Sequence, residues 1–294
     1  MTKHKDAIDL DAVPLSDRLR LPLGPVSMAG LDPSATPGYP GDGKDDAERY
    51  TEDLGPRLSD LQEMLYASGR SVPEKAPRVL VVLQGMDTSG KGGVIRHAIG
   101  LVDPQGVELT AFKAPTAEER RHHYLWRIRN ALPSPGKIGI FDRSHYEDVL
   151  VVRVDSLVPE DVWSKRYDEI NEFEAGLVAD GYRLIKCMLN VSFDEQRQRL
   201  AERLADPSKY WKYNPGDVDA RLKWPAYMEA YEAALEKCNT EAAPWYVIPS
   251  DRKWYRNWAV AELLREALSG MGLAWPGAEF DVATEQQRVA GSSE

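Results

Sequence analysis

The feature that most constrains the fold is a glycine-rich loop that directly follows a β-branched run. Residues 78–85 have the sequence RVLVVLQG, which predicts a buried strand, and the chain continues as GMDTSGKG over residues 85–92. This fits the pattern GxxxxGK, in which a strand leads into a phosphate-binding loop and the loop into a helix. The glycines allow a tight turn whose backbone N–H groups, with the helix N-terminus, can hold phosphate oxygens. A chance glycine-rich turn is the alternative, but the strand and helix patterns on either side favour a phosphate loop.

Apolar runs and helical patterns alternate along the rest of the chain. Four further strands are predicted at residues 107–112, 137–143, 182–190 and 245–248. Helices are predicted at residues 46–69, 91–101, 116–132, 159–180, 192–205, 217–237 and 253–268. Strands that alternate with helices indicate an α/β fold with a five-stranded parallel sheet and helices on both faces.

The chain divides into three regions by composition. Residues 1–45 are rich in Pro, Gly and Asp and predict an extended N-terminal arm without a core of its own. Residues 46–275 form the main domain, and residues 276–294 form a polar C-terminal tail that is expected to fray. Within the domain, DPSKYWK at residues 206–212 suggests a mobile lid over about residues 197–217. The alternative is an ordinary solvated helix and a loop with a buried tryptophan.

The composition excludes several classes of protein. The chain has 294 residues and a formal net charge of −10, so we expect no nucleic-acid binding over a broad face. The two cysteines, Cys187 and Cys238, lie far apart without a CxxC partner and predict buried free thiols. The N-terminus has no apolar signal-peptide core and no stretch is long enough to span a bilayer, which predicts a cytoplasmic protein.

Four residues around the loop are candidates for catalysis. Lys91 would neutralise charge on a transferred phosphoryl group, whereas Gly92 stands where a Ser or Thr hydroxyl normally binds Mg²⁺. We therefore infer that Asp87, inside the loop, binds Mg²⁺, with Mn²⁺ as an alternative. Asp142 ends a predicted strand at the sheet edge where ligands bind, and Arg143 after it can form a fork onto phosphate. A solvated loop carboxylate for Asp87 and an ion pair with Arg143 for Asp142 stay as alternatives.

Three stretches in this order resemble the family-2 polyphosphate kinases, a branch of the P-loop kinases close to thymidylate kinase. They are GMDTSGKGG at residues 85–93, FDRSHYEDVLVVRV at residues 141–154, and the segment from residue 192 through RLADPSKYWK to residue 212. The resemblance covers about residues 46–268. It implies a three-layer, P-loop kinase-like fold with a helical lid.

The resemblance also implies roles for individual residues. Asp87, Lys91, Asp142 and Arg143 would lie in the active site, with the two aspartates as metal ligands. Basic side chains gather locally at residues 113–129 and 192–212, against the acidic net charge. The candidate phosphate- and nucleotide-binding residues are Gly85, Gly90, Gly92, Gly93, Lys113, Arg127, Glu147, Arg199, Arg203, Lys209 and Lys212.

The implied reaction is a reversible, Mg²⁺-dependent phosphoryl transfer from inorganic polyphosphate to AMP and/or ADP. Glu147 and Asp148 stand where relatives limited to diphosphates tend to carry Asn-Arg, so the chain resembles the subclass acting on both AMP and ADP. The alternative for Glu147 is the start of the next helix. Adenine nucleotides, with guanine nucleotides as an alternative, and a homo-oligomer (dimer or tetramer) are the expected partners. An ATP-dependent nucleoside monophosphate kinase and a non-catalytic nucleotide-binding module are the rival functions.

Overall fold

A five-stranded sheet forms the centre of the protein. The computed structural model describes residues 13–292. The strands are β1 Arg78–Gln84, β2 Val107–Ala111, β3 Ile138–Asp142, β4 Tyr182–Asn190 and β5 Trp245–Pro249. They lie in the order β2-β3-β1-β4-β5, and each neighbouring pair is parallel. The predicted five-stranded parallel sheet is therefore confirmed.

Helices connect the strands and flank the sheet. In chain order they are α1 Leu15–Leu19, α2 Lys44–Ser71, α3 Lys91–His97, α4 Leu125–Asn130, α5 Val151–Val154, α6 Glu160–Trp163, α7 Arg166–Ala179, α8 Phe193–Ala205, α9 Pro215–Leu222, α10 Trp224–Lys237, α11 Lys253–Ser269 and α12 Val282–Ala290. Short 3-10 turns at His145–Asp148 and Pro207–Lys212 lie between them.

The central strand β1 is buried on both faces, as expected from its continuous apolar sequence. Val79, Val81 and Leu83 belong to the core beneath α2 and α11. Leu80 and Val82 alternate with them and belong to the core beneath α7 and α10. Two cores on opposite faces of one sheet make the predicted three-layer arrangement.

The strand register sets which loops meet. Leu83, at the end of β1, pairs with Asp142 of β3 on one side and with Cys187 of β4 on the other. Because the strands are parallel, the chain leaves β1 and β3 at the same edge of the sheet. Residues 85–93 and 142–148 therefore lie side by side.

The helix predicted at residues 116–132 is wrong. Only a 3-10 turn at Glu119–Arg121 and the six residues of α4 are helical. A capping box forms at the start of this segment: the Thr116 N–H donates to Glu119 Oε2 at 2.6 Å, and the Glu119 N–H donates to Thr116 Oγ1 at 3.2 Å. His122 then adopts an extended backbone, which ends the turn after one cycle.

Other helix boundaries also differ from the predictions. The helix expected at residues 159–180 is broken between α6 and α7. Trp163, which ends α6, packs on the guanidinium of Arg153, whereas α7 packs on β4. The helix expected at residues 217–237 begins at Pro215 and is divided at Lys223. Gly69 does not end α2; it lies against the backbone of the segment preceding β3, where a Cβ would clash with Pro135 O.

Both ends of the described chain carry structure. In the arm, Leu15 and Leu19 are buried in the main core, and the Leu21 N–H donates to Trp245 O of edge strand β5 at 2.9 Å. The arm thereby covers an edge that would otherwise be open; its first twelve residues lie outside the described part. The tail that was expected to fray contains the exposed helix α12.

Two predictions from composition can be compared with the structure. Cys187 and Cys238 are buried free thiols, as expected. Across residues 13–292, no helix combines the length and the apolar character needed to cross a bilayer.

Candidate active site

The glycine loop, residues 85–93, turns sharply between β1 and α3. Gly85 has φ +148°, and a Cβ there would lie 2.7 Å from Leu189 O; Gly90 has φ +109°. Both positions therefore require glycine. Thr88 adopts a positive φ of 64° without being glycine, which is the kind of strain found at ligand sites.

Two hydroxyl groups of the loop have no partner. Thr88 Oγ1 and Ser89 Oγ are buried and make no hydrogen bond to the described residues. A buried hydroxyl is normally paired, because desolvation without a hydrogen bond is costly. These two hydroxyl groups could donate to the oxygen atoms of a bound ligand. The loop therefore has the properties of a binding site.

Lys91 lies at the start of α3 and its side chain folds back over the loop. Its Nζ donates to Gly85 O at 2.8 Å. Burial lowers the pKa of the Lys91 ammonium, while the carboxylates of Asp87, Asp142 and Glu147 act in the opposite direction. Lys91 therefore lies close to the carboxylates of Asp87, Asp142 and Glu147, as the sequence predicted.

An ion pair joins the glycine loop to the end of β3. Arg143 Nη2 lies 2.7 Å from Asp87 Oδ1, and Arg143 has a positive φ of 64°. Burial opposes the charge of Arg143, but the carboxylates of Glu147 and Asp87 outweigh it and raise its pKa. The alternative of an ion pair between Asp142 and Arg143 does not form, since Arg143 pairs with Asp87 instead.

Asp142 and Asp87 are the candidate metal ligands. Asp142 is half-buried, and its carboxylate makes no hydrogen bond within residues 13–292. No group of three or more His, Cys, Asp or Glu side chains in this same span is arranged to hold a metal ion. Two hard carboxylates fit Mg²⁺, which commonly takes one or two carboxylates and completes its shell with water and substrate phosphate. The donor set thus fits a metal that arrives with phosphate.

Glu147 belongs to the same cluster. It lies in the 3-10 turn His145–Asp148, next to Gln84 at the end of β1. With the Gln84 amide oriented to satisfy both its ends, its nitrogen donates to Glu147 Oε1 at 3.1 Å and its oxygen accepts from Ser144. Burial raises the pKa of Glu147, and Arg143 and Lys91 counteract it. Glu147 thus lies beside the predicted site, inside a helical turn that begins at His145; its role in binding stays a prediction.

A cavity of about 560 Å³ opens beside this cluster. Its lining includes Arg143 and Glu147 of the cluster, together with Lys113, Arg127 and Tyr124. Its volume and its mixture of apolar walls with a few polar groups suit a small organic ligand. Lys113 is exposed at the rim, whereas Arg127 is buried and donates to Lys113 O at 2.8 Å.

The lid segment, residues 197–217, carries exposed cations. Lys209 and Lys212 are exposed, and Arg203 donates to Lys212 O at 2.9 Å and to Asp217 Oδ2 at 3.1 Å. Trp211 is 79% exposed, so the alternative of a loop with a buried tryptophan is wrong.

Arg199 is placed differently from the prediction. It is 5% exposed, and it donates to Thr88 O at 2.9 Å and to Ser250 O at 2.6 Å, while Nε pairs with Glu195. The guanidinium is thus bonded to the back of the glycine loop and presents no free fork to phosphate. The sequence identified Arg199 as a cation near the lid, but could not show that the glycine loop itself binds its guanidinium.

The remaining predicted glycines have unlike surroundings. Gly92 is exposed with open space around it, so nothing steric requires glycine there. A Cβ at Gly93 would lie 2.5 Å from Arg256 Nη2, so this glycine accommodates a neighbouring side chain.

Sequence reasoning missed several residues of the site. Asp217 is buried; burial and then Asp87 raise its pKa, while Arg203, Arg143 and Lys91 counteract this. Its position could have been noticed in the sequence, because Asp217 lies in the first turn of α9, just after the capping residue Asn214. Tyr231 is a buried phenol within the field of Glu147 and Asp87, and Gln196 Nε2 donates to Asp87 O at 3.0 Å. These two sit on ordinary amphipathic helices and carry no sequence signal.

Comparison with known proteins identifies this arrangement. A family model described as polyphosphate kinase 2 matches residues 43–273, which include the glycine loop, Asp142, Glu147 and the lid segment. The chain belongs to the polyphosphate kinase 2 family. The predicted family resemblance is confirmed.

Relatives match three quarters or more of the chain. An AMP/ADP-polyphosphate phosphotransferase from Meiothermus ruber is 48% identical over 258 residues, or 88% of this chain and 94% of that protein. An ADP-polyphosphate phosphotransferase from Rhodopseudomonas palustris is 41% identical over 75% of this chain and 78% of that protein. The crystal structure of polyphosphate kinase 2 from Arthrobacter aurescens has a TM-score of 0.91 and 49% identity, and the match covers 96% of this chain and 98% of that one.

Proposed function

We propose that this protein transfers the terminal phosphoryl group of inorganic polyphosphate to AMP and ADP, reversibly and with Mg²⁺. The observation that carries the proposal is the cluster of Lys91, Arg143, Asp87, Asp142 and Glu147 at the carboxyl edge of the sheet, beside the glycine loop. Phosphoryl transfer needs mainly positioning and charge stabilisation, and this cluster offers both. The names of the relatives from Meiothermus ruber and Rhodopseudomonas palustris support the same donor.

In the forward step, an oxygen of the nucleotide's terminal phosphate attacks the terminal phosphorus of polyphosphate. The new P–O bond extends the nucleotide by one phosphate, and the broken P–O bond leaves polyphosphate one unit shorter. The loop amides and the Lys91 ammonium hold the phosphates and neutralise charge that spreads over the transferred group. Arg143 can turn one guanidinium edge to phosphate while the other faces Asp87.

A divalent cation serves phosphotransferases of this kind by bridging phosphate oxygens and reducing their repulsion. Asp87 and Asp142 would hold it here, with Mg²⁺ favoured because both ligands are hard carboxylates and Mn²⁺ as the alternative. The hydroxyl that usually supplies this ligand is replaced by Gly92.

The nucleotide and the polyphosphate would use different surfaces. We assign the 560 Å³ cavity, with Lys113 and Arg127 on its wall, to the nucleotide. The exposed lysines Lys209 and Lys212, which do not line this cavity, would follow the polyphosphate chain as the lid closes. Assembly into a dimer or tetramer, and use of guanine nucleotides, stay predictions from the sequence.

A donor comparison tests this function against the ATP-dependent nucleoside monophosphate kinase. The purified protein is given ADP with long-chain polyphosphate and Mg²⁺ in one reaction, and AMP with ATP but no polyphosphate in another. We expect ATP to form in the first reaction and little ADP to form in the second. Product only in the second reaction would assign the protein to the rival class, and nucleotide binding without product in either would indicate a non-catalytic module.

A further inference from the structure

Two buried arginines contact the glycine loop on the side towards which the carbonyls of Thr88 and Ser89 point, which we call the back of the loop. Arg256, in the first turn of α11, donates from Nη1 to Ser89 O at 3.0 Å. Arg199 of α8 donates to the same oxygen at 3.2 Å and to Thr88 O at 2.9 Å. Two cations from separate helices thus converge on one carbonyl, immediately before Gly90.

The loop and Arg256 fit each other closely. A Cβ at Gly93 would lie 2.5 Å from Arg256 Nη2, and a Cβ at Gly90 would overlap Nη1. Two of the four glycines in the loop are therefore needed because Arg256 occupies the space behind them. This role is separate from the usual one, in which glycine allows phosphate to approach from the front.

Arg256 has no carboxylate partner within the described span. It is 3% exposed, and its other hydrogen bonds go to the neutral Asn257 Oδ1, at 2.9 Å from Nη2 and 3.3 Å from Nε. Glu195, the nearby acid, is bonded to Arg199. Burial and then the charge of Arg199 lower the pKa of Arg256 to about 9. A buried, unpaired cation is costly, and a phosphate bound in the loop would supply the missing negative charge.

We propose that Arg256 is a positioning residue for phosphoryl transfer. Its guanidinium fixes the Ser89 carbonyl to the rear, so that the N–H groups of the loop point forward at phosphate, and its charge strengthens their attraction for the anion. The inference rests on the proposed phosphate role of residues 85–93. A displacement of about 1 Å in such a loop can cost on the order of a hundredfold in rate.

The first test replaces Arg256 by Met, which removes the charge and the fork, and by Lys, which keeps the charge. The matched control is Arg265→Met on the same helix, where the guanidinium is bonded to Glu262. We expect Arg256→Met to lower kcat/KM by about tenfold or more at a temperature where it is folded, and Arg256→Lys to lose less. Arg265→Met is expected to lower the melting temperature without lowering kcat/KM.

Binding of inorganic tripolyphosphate gives a readout that a purely structural role would not change. A ligand that binds the folded state raises the melting temperature. We expect tripolyphosphate to raise it clearly in the wild-type protein and in Arg265→Met, and much less in Arg256→Met. An unchanged shift together with unchanged kcat/KM in a folded Arg256 variant would overturn the inference. If the wild-type protein neither turns over polyphosphate nor gains stability from tripolyphosphate, the proposed phosphate-binding function of the loop itself is contradicted.

A double-mutant cycle keeps the inference testable if Arg256→Met folds poorly. Gly93→Ala should push the Arg256 guanidinium away from Ser89 and lower kcat/KM by about tenfold, with Gly176→Ala, an unobstructed helix glycine, as the control. Both changes act through one contact. Gly93→Ala should therefore lower kcat/KM much less in the Arg256→Lys variant than in the wild-type protein. Fully additive losses would contradict a shared contact.

Discussion

Arg143 and Asp87 lie 2.7 Å apart and link the two segments that form the site, one after β1 and the other after β3. The pair neutralises a carboxylate that would otherwise face the phosphates directly. A cation bound by Asp87 would share that carboxylate with Arg143, and phosphate would then provide a new partner for the guanidinium. Metal and phosphate binding are therefore expected to support each other at this site.

The first prediction concerns the two carboxylates that we propose as metal ligands. Asp87→Asn and Asp142→Asn should each lower kcat by about a hundredfold or more and leave the fold intact, because each removes a charge that organises the phosphates. Turnover with ADP and polyphosphate is measured over a range of Mg²⁺ concentrations, and circular dichroism monitors folding. Asp161→Asn, at an exposed position of α6, is the control. Near-normal turnover in either variant at low Mg²⁺ would remove that residue from the metal site.

Most of the sheet could be predicted because β1, β3 and most of β4 are buried on both faces. The sequence RVLVVLQ is apolar at five consecutive positions, which indicates a strand that is buried on both faces. Its assignment therefore needed no information about neighbouring elements. The helix at residues 116–132 was mispredicted because a local capping box closed a single turn around Thr116 and Glu119. Local signals describe such a turn correctly but do not show how far a helix continues.

The loop residues could also be predicted, whereas the residues behind the loop could not. Asp142 ends β3, and Asp87 and Lys91 belong to the loop and helix start that follow β1, so the topology of a parallel sheet brings them together. Arg256 comes from a helix more than 160 residues later in the chain, so its contact with Ser89 depends on how α11 packs. Arg199 was assigned to phosphate because a sequence gives its charge but not the direction in which it points.

The second prediction follows from the raised pKa of Glu147. Burial lifts it above the ordinary value of 4.5. Between that value and the raised one, the folded state holds more protons than the unfolded state, so stability falls as the pH rises. Glu147→Gln removes this penalty and should raise the melting temperature at neutral pH, with the gain vanishing as the pH drops towards 4.5.

Melting temperatures of Glu147→Gln and the wild type are compared from about pH 4 to about pH 8. The exposed Glu172→Gln serves as the control and should show no such divergence. A gain in Glu147→Gln that is equal at all pH values would contradict a titrating carboxylate at this position.

The third prediction concerns a buried charge pair beneath the active site. Lys186 Nζ donates to Glu174 Oε2 at 2.6 Å and to the Tyr146 hydroxyl at 2.9 Å, and both charged residues are at most 1% exposed. Lys186→Met would leave the Glu174 charge buried without its main partner and should cost about 3–5 kcal/mol in the free energy of unfolding. Adding Glu174→Gln should restore much of the loss in urea denaturation; equal stability of the single and double variants would show that the pair is not coupled.

The fourth prediction concerns the exposed lysines of the lid. Polyphosphate is a polyanion, and exposed charges are screened over about 10 Å at 0.1 M salt, so KM for polyphosphate should rise steeply with ionic strength. Lys209→Ala combined with Lys212→Ala should raise KM for polyphosphate more than KM for ADP, and should weaken that salt dependence. Lys75→Ala, at the opposite edge of the sheet, is the control. A salt dependence equal to that of the wild type would exclude these lysines from the polyphosphate path.

The most direct test of the whole account supplies AMP as the only nucleotide, with long-chain polyphosphate and Mg²⁺, and follows the products over time by anion-exchange chromatography. We predict that ADP appears first and ATP follows, while Asp142→Asn forms almost neither. ATP from added ADP, but no ADP from AMP, would contradict the assignment of both acceptors to this site. No nucleotide product from either acceptor would contradict phosphoryl transfer from polyphosphate altogether.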